Sequence, residues 1–516
     1  MIELLQSLAH GFAVAVTPTN LLFAFAGVMA GMIIGALPGI GTVVGVSLLL
    51  PLTYGMDPTT AIIMLAGIYY GAQYGGTITS VLINMPGESA TVATTLDGYQ
   101  MARQGRAAKA LGIATIGSFI AGTFGVIVVT LLSPLLAEFA LQFGPPEYFA
   151  LVLLGFTALG AVSGSSLAKG LTSVVIGLLI ATVGLDIMSG RPRFTFGEDW
   201  LLGGFDFIVV AIGLFGIGEI LDGMMLPGGH PIIKTSLSWR NSIPSAAEWA
   251  RSKMAIVRGA VIGLAIGILP GAGSTLASFI AYSVERNVSK HPEQFGKGAI
   301  EGVAAPEAAN NSAAAGAMIP LLTLGVPGSG TTAVLLGGFL LWGLRPGPLL
   351  FTQYPDFAWG LIASMYIGNL MLVLLNIFAI PVFASMLWIP YGIQAAFVVI
   401  FAVLGAYSLS LNEFDVVIMV AFGLLGFAMK RLDFSAAGLI LGLVLGPLAE
   451  KSLRQSLTLS HGDWSIFFTR PVSGVLMVLA LAALFWPLAR KALVRASAGR
   501  GGPAIPGGLQ YSAGEE

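Results

Sequence analysis

The sequence is poor in charge, and this scarcity decides the class of protein. Only 9% of its 516 residues are Asp, Glu, Lys or Arg, while 56% are hydrophobic. Soluble proteins carry about 25% charged residues. Uncharged runs such as 110–137 and 357–412 exceed the roughly 20 apolar residues that a membrane-spanning helix needs. We therefore predict an all-α polytopic membrane protein with roughly 10–12 spans.

Cysteine is absent, which excludes disulfides, thiolate metal sites and cysteine nucleophiles. The net charge of −1 gives no reason to expect nucleic-acid binding. The N-terminus lacks a basic region, so we expect no cleaved signal peptide. Histidine is scarce, and a zinc-binding His-Glu-x-x-His and a phosphate-binding Gly-Lys-Ser/Thr loop are both missing. The histidines lie in or near predicted loops: His10, His230, His291 and His461.

What the sequence does contain is a duplicated motif. Gly31-Met-Ile-Ile-Gly-Ala-Leu-Pro-Gly-Ile-Gly41 returns as Gly263-Leu-Ala-Ile-Gly-Ile-Leu-Pro-Gly-Ala-Gly273. A second pair of Pro-Gly breaks, at 84–89 and 325–330, follows at nearly the same offset. The pattern predicts two related repeats. The predicted organisation is an N-terminal interfacial segment at 1–19, a first repeat at 20–226, a basic cytoplasmic connecting loop at 227–258, a second repeat at 259–489, and a disordered cytoplasmic tail at 490–516.

Basic residues give the expected topology, because Lys and Arg prefer cytoplasmic loops. In the first half they follow the second break, as Arg103 and Arg106, whereas in the second half they precede the first break, as Arg251 and Arg258. This reversal is typical of inverted-topology repeats. The block 259–284 also begins and ends on one side and is short for two spans. It predicts a re-entrant hairpin, with two short spans as the alternative.

A Pro-Gly break inside a membrane helix exposes backbone groups that suit ions. Half-helix N-termini favour anions, while unwound carbonyls favour Na⁺ or a proton carrier. The flanking side chains are mostly hydroxyls and amides. Predicted substrate-binding residues are Gly39, Gly41, Thr42, Asn84, Pro86, Gly87, Ser89, Gly271, Gly273, Ser274, Thr275, Pro327, Gly328, Ser329, Gly330 and Thr331. Candidates for ion coupling are Glu88, Glu307, Asn310, Asn311 and Ser312.

Each of these signals also has a structural interpretation. A single Pro-Gly in a membrane helix is usually a kink, and Glu88 and Glu307 can equally serve as hydrogen-bonding groups between helices. Gln73 and Tyr74 are interpreted as packing residues, and Glu219 as interfacial. Two matched pairs of breaks with polar neighbours favour function. We expect no catalytic residue, no cofactor, and no metal beyond a coupling Na⁺.

Further motifs accompany the two pairs. They are Tyr70-Gly-Ala-Gln-Tyr-Gly-Gly76, Asn84-Met-Pro-Gly-Glu-Ser89, Ala305-Pro-Glu-Ala-Ala-Asn-Asn-Ser312 and Val326-Pro-Gly-Ser-Gly330. With the paired breaks, and over about residues 15–490, they resemble the large membrane subunit of tripartite tricarboxylate transporters, the TctA family.

The resemblance implies a secondary transporter of the bacterial inner membrane. It would import a di- or tricarboxylate such as citrate by alternating access, driven by a Na⁺ or H⁺ gradient. It also implies two partners, a periplasmic solute-binding protein and a small membrane subunit of about four helices. The alternatives are a passive anion channel, which two inward hairpins would also suit, and an intramembrane enzyme, which the peripheral histidines disfavour.

Overall fold

The computed structural model describes residues 2–162, 166–186, 188–225, 239–271 and 273–498. For residues 159–162, 239 and 486–498 it describes the backbone only. About 80% of the structure is helical and there are nearly no strands, which confirms the predicted all-α polytopic fold class. The first half contains α1 (Ile2–Ala15), α2 (Pro18–Gly35), α3 (Gly41–Leu49), α4 (Pro58–Leu82), α5 (Val92–Arg103), α6 (Ala107–Ala140), α7 (Pro145–Val162), α8 (Leu167–Ala181), α9 (Phe207–Ala211) and α10 (Gly218–Gly223).

The second half runs from residue 239 onward. It contains α11 (Trp239–Ser242), α12 (Ala246–Gly267), α13 (Gly273–Val288), α14 (Glu301–Gly316), α15 (Met318–Leu324), α16 (Gly330–Leu341), α17 (Leu350–Gln353), α18 (Pro355–Ser385), α19 (Tyr391–Ser410), α20 (Glu413–Arg431), α21 (Ala436–Leu459), α22 (Ile466–Thr469) and α23 (Pro471–Ala498). Single turns of 3-10 helix lie at Leu50–Thr53, Ser89–Thr91, Asp199–Leu201, Pro292–Gln294 and Met386–Trp388, and a π-helical segment at Ile212–Ile217 joins α9 to α10. The short strands β1 (Gly184–Leu185) and β2 (Pro192–Arg193) pair antiparallel.

Five helices among the described residues are long and apolar enough to cross a membrane by themselves. They are Pro18–Gly35, Ala107–Ala140, Pro355–Trp388, Tyr391–Ser410 and Ala436–Leu459. Other apolar helices are shorter, such as α3 and α16, because the Pro-Gly breaks interrupt them. The number of complete crossings stays a prediction.

The two halves use the same glycine seam. A Cβ added to any of three α2 glycines spaced four residues apart would collide with the backbone of α4, and three α12 glycines abut α14 in the same way. Small residues at this spacing let membrane helices approach closely. The paired positions are Gly27, Gly31 and Gly35 with Met64, Ile68 and Ala72, and Gly259, Gly263 and Gly267 with Ala305, Ala309 and Ala313. In each half the two helices therefore run parallel, and the repeat is a structural one.

The halves are oriented in opposite directions. Thr77 of α4 donates a hydrogen bond to Glu307 of α14 (2.8 Å). Further along, Tyr70 shares a small cavity with Asn311 and Ala315. Residue numbers thus fall along α4 while they rise along α14, so these helices are antiparallel. The inverted arrangement predicted from the basic residues is present.

Helices α12 and α13, which contain the block 259–284, pack as a helical hairpin, while its re-entrant path in the membrane stays a prediction. Arg258 of α12 makes two hydrogen bonds, of 2.7 and 2.8 Å, to the Glu285 carboxylate of α13, so the two helices lie side by side on either side of the break. Glu248 near the start of α12 pairs with Arg106, just before α6 (3.1 Å). Arg251 pairs with Glu301, at the start of α14 (2.7 Å). We call this side of the protein the basic face.

The strand pair lies at the opposite face, against α21. Asp186 accepts a hydrogen bond from Arg454 (2.9 Å) and another from the Ser189 hydroxyl. Arg193 pairs with Glu450 (2.8 Å). The Ser189 hydroxyl, aided by Arg454, holds the pKa of Asp186 well below its usual range. Asp186 is therefore ionised at neutral pH, and the ion cluster links the strand pair of the first half to the second.

Two predicted boundaries were wrong. The connecting loop predicted at 227–258 contains α11 and the start of α12, because Ser245 and Glu248 form a capping box that begins a helix there. The tail predicted to be disordered from 490 is helical to Ala498, because residues 490–498 are mostly good helix formers that continue α23. Residues 226–238 and 499–516 lie outside the described part.

Candidate functional site

All four Pro-Gly breaks meet at one cavity of about 880 Å³. The tip of the first hairpin (α2–α3) and the tip of the second (α12–α13) face it from opposite halves of the chain. The breaks after α4 and α15 complete the wall. Segments that line the cavity include 39–44, 86–90, 273–276 and 329–331.

Most of the residues predicted to bind substrate line this cavity. They are Gly39, Gly41, Thr42, Pro86, Gly87, Ser89, Gly271, Gly273, Ser274, Thr275, Ser329, Gly330 and Thr331. Asn84, Pro327 and Gly328 are not among its lining residues. Of the ion-coupling candidates, Glu88 lines the cavity, whereas Glu307, Asn310, Asn311 and Ser312 are buried in α14. Ala272, at the second tip, lies outside the described residues.

The hairpin tips have matched backbone conformations. Gly39 and Gly41 have φ angles of 79° and 71°, and Gly271 and Gly273 have 79° and 64°. These positive values belong to the left-handed region that glycine adopts without steric cost. The turns place the first residues of α3 and α13 on the cavity wall. N–H groups in the first turn of a helix have no partner within that helix, so both tips present hydrogen-bond donors.

The breaks also interlock across the repeat. The Ser89 hydroxyl, beside the first-half break, contacts the Thr275 hydroxyl of the second hairpin (2.9 Å). In the reciprocal position, Gly330 of the second-half break abuts Val43 of the first hairpin, with 3.6 Å between a built Cβ and Val43 Cγ2. Each break therefore touches the hairpin of the other half, and movement of one half changes the cavity.

Glu88 is a carboxylic acid on the cavity wall, with only 8% of its surface exposed. Its carboxyl group faces the backbone N–H groups of Thr42, in the first turn of α3, and of Ala90. A helix N-terminus stabilises a negative charge. The Glu88 carboxyl group thus occupies hydrogen-bond donors at the tip of the first hairpin.

Glu307 lies behind the wall, in α14, and is 1% exposed. Its carboxylate oxygens accept hydrogen bonds from Thr77 (2.8 Å) and Thr94 (2.5 Å). Among the described residues, no Lys, Arg or His forms an ion pair with it. An ionised carboxylate is costly to bury without a positive partner. Glu307 therefore suits a bound cation or a proton.

The three polar residues that follow Glu307 differ in their contacts. Asn311 donates hydrogen bonds to the Ser118 hydroxyl (2.7 Å) and the Glu307 carbonyl (3.1 Å), and Ser312 donates to the Ala260 carbonyl (2.7 Å). Asn310 is fully buried, yet neither polar atom of its side chain has a partner within the described residues. Asn310 is therefore the one of the three with free hydrogen-bonding capacity.

Two wall residues were missed or undervalued in the sequence. Tyr69 is 1% exposed, and its hydroxyl lies near Ser274 and Ser329 without a hydrogen-bond partner in the described part. The side-chain oxygen of Gln73, interpreted from sequence as a packing residue, is also unpartnered. Both residues line the cavity. The signal in the sequence that links Tyr69 with Gln73 is their spacing of four residues, which places both on the same side of α4.

The cavity opens at the basic face. Glu219, Lys430 and Asp433 form its mouth, and Lys430 pairs with both Glu219 and Asp222. Helix α6 starts at the basic face and α18 runs antiparallel to it, so α18 ends there. Tyr391, which follows α18, donates a hydrogen bond to the carbonyl of Ile220 (3.3 Å). The neighbouring Glu219, at the mouth of the cavity, therefore also lies at the basic face. No lining residue comes from the helix ends at the opposite face, near 50–58 or 341–356.

The described residues contain no group of three or more His, Cys, Asp or Glu placed to hold a metal ion. The polar groups around the cavity are instead hydroxyls, amides, helix ends and isolated carboxylates. This set can bind an anion through N–H and O–H donors and a monovalent cation through oxygen atoms.

Comparison with known proteins agrees with this chemistry. Residues 21–441 of this chain match the family described as "Tripartite tricarboxylate transporter TctA family". A protein of Agrobacterium vitis, described as an uncharacterized 52.8 kDa protein in the TAR-I ttuC' 3'region, is 46% identical over 485 residues, which cover 94% of this chain and 96% of the relative. A second A. vitis protein, from the TAR-II ttuC' 3'region, is 48% identical over 226 residues, covering 44% of this chain and 93% of the relative. No solved structure matches the chain significantly.

Proposed function

This chain belongs to the tripartite tricarboxylate transporter TctA family, and we propose that it imports a di- or tricarboxylate such as citrate, coupled to a Na⁺ or H⁺ gradient. Membership makes it the large membrane subunit of a transporter. The observation that carries the proposal is the convergence of all four Pro-Gly breaks on one cavity. Such breaks bind solutes and coupling ions at the centre of inverted-repeat carriers.

An anionic substrate fits the cavity without a buried arginine. Its walls offer the first turn of α13, together with the hydroxyls of Thr275, Ser329 and Thr331. Lys430 lies at the mouth, where it pairs with Glu219 and Asp222. Helix ends and hydroxyl groups bind carboxylates reversibly, and reversible binding is what a carrier needs in order to release its load.

The opening of the cavity favours a carrier over a channel. We take the basic face as cytoplasmic, because Lys and Arg concentrate on that side of membrane proteins. The cavity then faces the cytoplasm, and its lining residues do not reach the opposite face. A carrier closed on one side is half of an alternating-access cycle, whereas a conducting channel would connect both faces.

Glu307 is our candidate for the coupling group. It is buried and unpaired with any cation in the described part, and it joins α14 to α4 and α5 through Thr77 and Thr94. Glu88 is less suited, since its carboxyl group already faces the N-terminus of α3. Asn310, with both side-chain atoms unpartnered, supplies an oxygen one turn further along α14.

The family also suggests where the protein works and with what. We propose residence in the bacterial inner membrane, with a small membrane subunit and a periplasmic solute-binding protein as partners. In this arrangement the binding protein delivers the carboxylate at the face opposite the basic one.

Reconstituted uptake tests this function. We expect vesicles that contain the chain and its small subunit to accumulate radiolabelled citrate only when the binding protein and a Na⁺ or pH gradient are both present. Accumulation of another carboxylate from a panel would keep the mechanism and change the substrate. Flux that needs neither gradient nor binding protein would contradict the proposal and favour a channel.

A further inference from the structure

The two repeats place different residues at equivalent positions around the cavity. The glycine seam matches Ala72 with Ala313, because each abuts the last glycine of its hairpin's first helix. Counting along the chain from this match, Glu88 corresponds to Ser329 and Tyr69 to Asn310. The repeats thus carry a carboxylate at one break and a hydroxyl at the other.

The geometry at the two breaks is closely matched. A Cβ built on Gly41, at the start of α3, would lie 4.0 Å from the Cβ of Glu88. A Cβ built on Gly273, at the start of α13, would lie 3.9 Å from the Cβ of Ser329. Each break therefore holds its side chain against the N-terminus of the adjacent half-helix. We call these places the first cradle (α3 and Glu88) and the second cradle (α13 and Ser329).

The first cradle already contains a carboxylate. The carboxyl group of Glu88 faces the N–H groups of Thr42 and Ala90, so an internal carboxyl group occupies the donors at this helix end. Glu88 is 8% exposed and cannot leave this position without uncovering those donors. These donors are therefore not available to a carboxylate group of the substrate.

The second cradle lacks such an anion. The side chain of Ser329 is two bonds shorter than that of a glutamate and ends in a hydroxyl. This hydroxyl accepts a hydrogen bond from the Thr332 N–H (3.2 Å) and contacts the Thr332 hydroxyl (3.1 Å). The hydroxyl of Tyr69, 1% exposed, reaches this place and has no partner in the described residues. A buried hydroxyl without a partner is costly. The second cradle therefore holds unused donors beside an open cavity.

We propose that the second cradle binds one carboxylate group of the substrate, in the position that Glu88 fills in the first cradle. The donors are the first turn of α13 (Gly273, Ser274 and Thr275) and the hydroxyls of Ser329 and Tyr69. The proposal rests on the proposed transport of a carboxylate and deepens it. One carboxylate group is fixed here, and the remainder of the substrate extends into the cavity toward the mouth.

Charge exchange between the cradles tests the proposal. The full chain in lipid nanodiscs is titrated with citrate by calorimetry, and each variant is checked for an unchanged unfolding temperature. We expect Ser329→Glu to weaken citrate binding at least about 100-fold, because a fixed carboxylate fills the second cradle. The neutral variant of equal size, Ser329→Gln, should weaken binding by no more than about tenfold.

A double variant separates occupancy from simple repulsion. Glu88→Ser with Ser329→Glu keeps the net charge and exchanges the two side chains. We expect it to regain at least about tenfold of the affinity lost in Ser329→Glu, because the first cradle is now open. A double variant no better than Ser329→Glu would overturn the proposal, as would equal losses in Ser329→Glu and Ser329→Gln.

Tyr69→Phe supplies an independent measurement with little risk to folding. It removes one hydroxyl from a buried ring, and hydrogen bonds to charged groups contribute about 1.5–3 kcal/mol, so citrate affinity should fall at least about tenfold. Unchanged affinity would remove Tyr69 from the cradle and overturn the assignment. If the unmodified chain binds citrate but no variant changes the affinity, the cradle fails and the transporter stands. If the unmodified chain binds no carboxylate in a panel and the complex takes none up, the proposed function itself fails.

Discussion

Substitution of Glu307 by Gln is expected to abolish gradient-driven accumulation of the carboxylate. Thr77 and Thr94 donate hydrogen bonds to the two carboxylate oxygens, at 2.8 and 2.5 Å. Glutamine keeps the size of the side chain, and its amide oxygen can accept one of these hydrogen bonds while its NH2 group donates to the other hydroxyl. It removes the negative charge that a bound cation or proton would neutralise. Coupling free energies of 1–3 kcal/mol correspond to about 5–150-fold effects, so accumulation should fall by about 100-fold, to the passive level.

The matched control is Glu88→Gln, which neutralises the other buried carboxylate beside the cavity. We expect this variant to stay gradient-dependent, because the carboxyl group of Glu88 already faces the backbone N–H groups of Thr42 and Ala90, with which an amide oxygen can also form hydrogen bonds. Uptake is measured under a Na⁺ gradient and, separately, under a pH gradient, and the response of the unmodified protein identifies the ion. Gradient-dependent uptake that survives in Glu307→Gln but disappears in Glu88→Gln would reverse the assignment.

Replacement of Gly263 by Leu is expected to unfold the second hairpin. A Cβ at this position would overlap the backbone carbonyl of Ala309, so α12 and α14 must separate to make room. Backbone cannot rotate away as a side chain can, and overpacking costs 1–3 kcal/mol or more even where neighbours adjust. Because α12 carries the second tip, separation also removes that tip from the cavity.

The control for this variant is Gly392→Leu. Gly392 is a helical glycine of α19, exposed, with nothing within 4 Å of a built Cβ. We expect the purified Gly392 variant to elute as a single species and to unfold near the temperature of the unmodified protein. Gly263→Leu should aggregate or unfold at a clearly lower temperature. Equal unfolding temperatures for the two variants would show that the seam does not hold the hairpin.

The architecture could be predicted from sequence because it depends on patterns that extend over many residues and not on any single contact. Uncharged runs indicated membrane helices, and the duplicated Gly-x-Leu-Pro-Gly-x-Gly indicated a repeat. The reversal of basic residues between the halves indicated opposite orientation. The two contacts of α4 with α14, Thr77 with Glu307 and Tyr70 beside Asn311, bear this out. Each of these signals occurs more than once along the chain, and each can be read without knowing which helices pack together.

Individual site residues were harder to predict, because their roles depend on which helix lies opposite. Asn310, Asn311 and Ser312 are adjacent polar residues in one helix, yet only Asn310 is left without partners. Tyr69 sits in an apolar stretch of α4, and only the crossing of the halves brings it to Ser329. Lys430 reaches the cavity mouth from a distant helix end. Pro327 and Gly328 have the right composition but are not among the lining residues of the cavity.

The central claim is that the cavity is a substrate site that opens to one face of the membrane at a time. Because the chain contains no cysteine, a single introduced cysteine can report access directly. Leu276 lines the cavity, while Tyr54, 60% exposed, lies in the turn before α4 at the opposite face. Leu276→Cys and Tyr54→Cys are labelled with a membrane-impermeant maleimide added to either side.

Without partners or gradient, we predict that the Leu276→Cys variant reacts only from the basic face and the Tyr54→Cys variant only from the other. With the gradient, the small subunit and citrate-loaded binding protein, the thiol of Leu276→Cys should also become reactive from the opposite face and lose part of its reactivity at the basic face. That exchange is the behaviour of an alternating carrier. Reaction of Leu276→Cys from both faces in the resting protein would show a continuous pore and contradict the account.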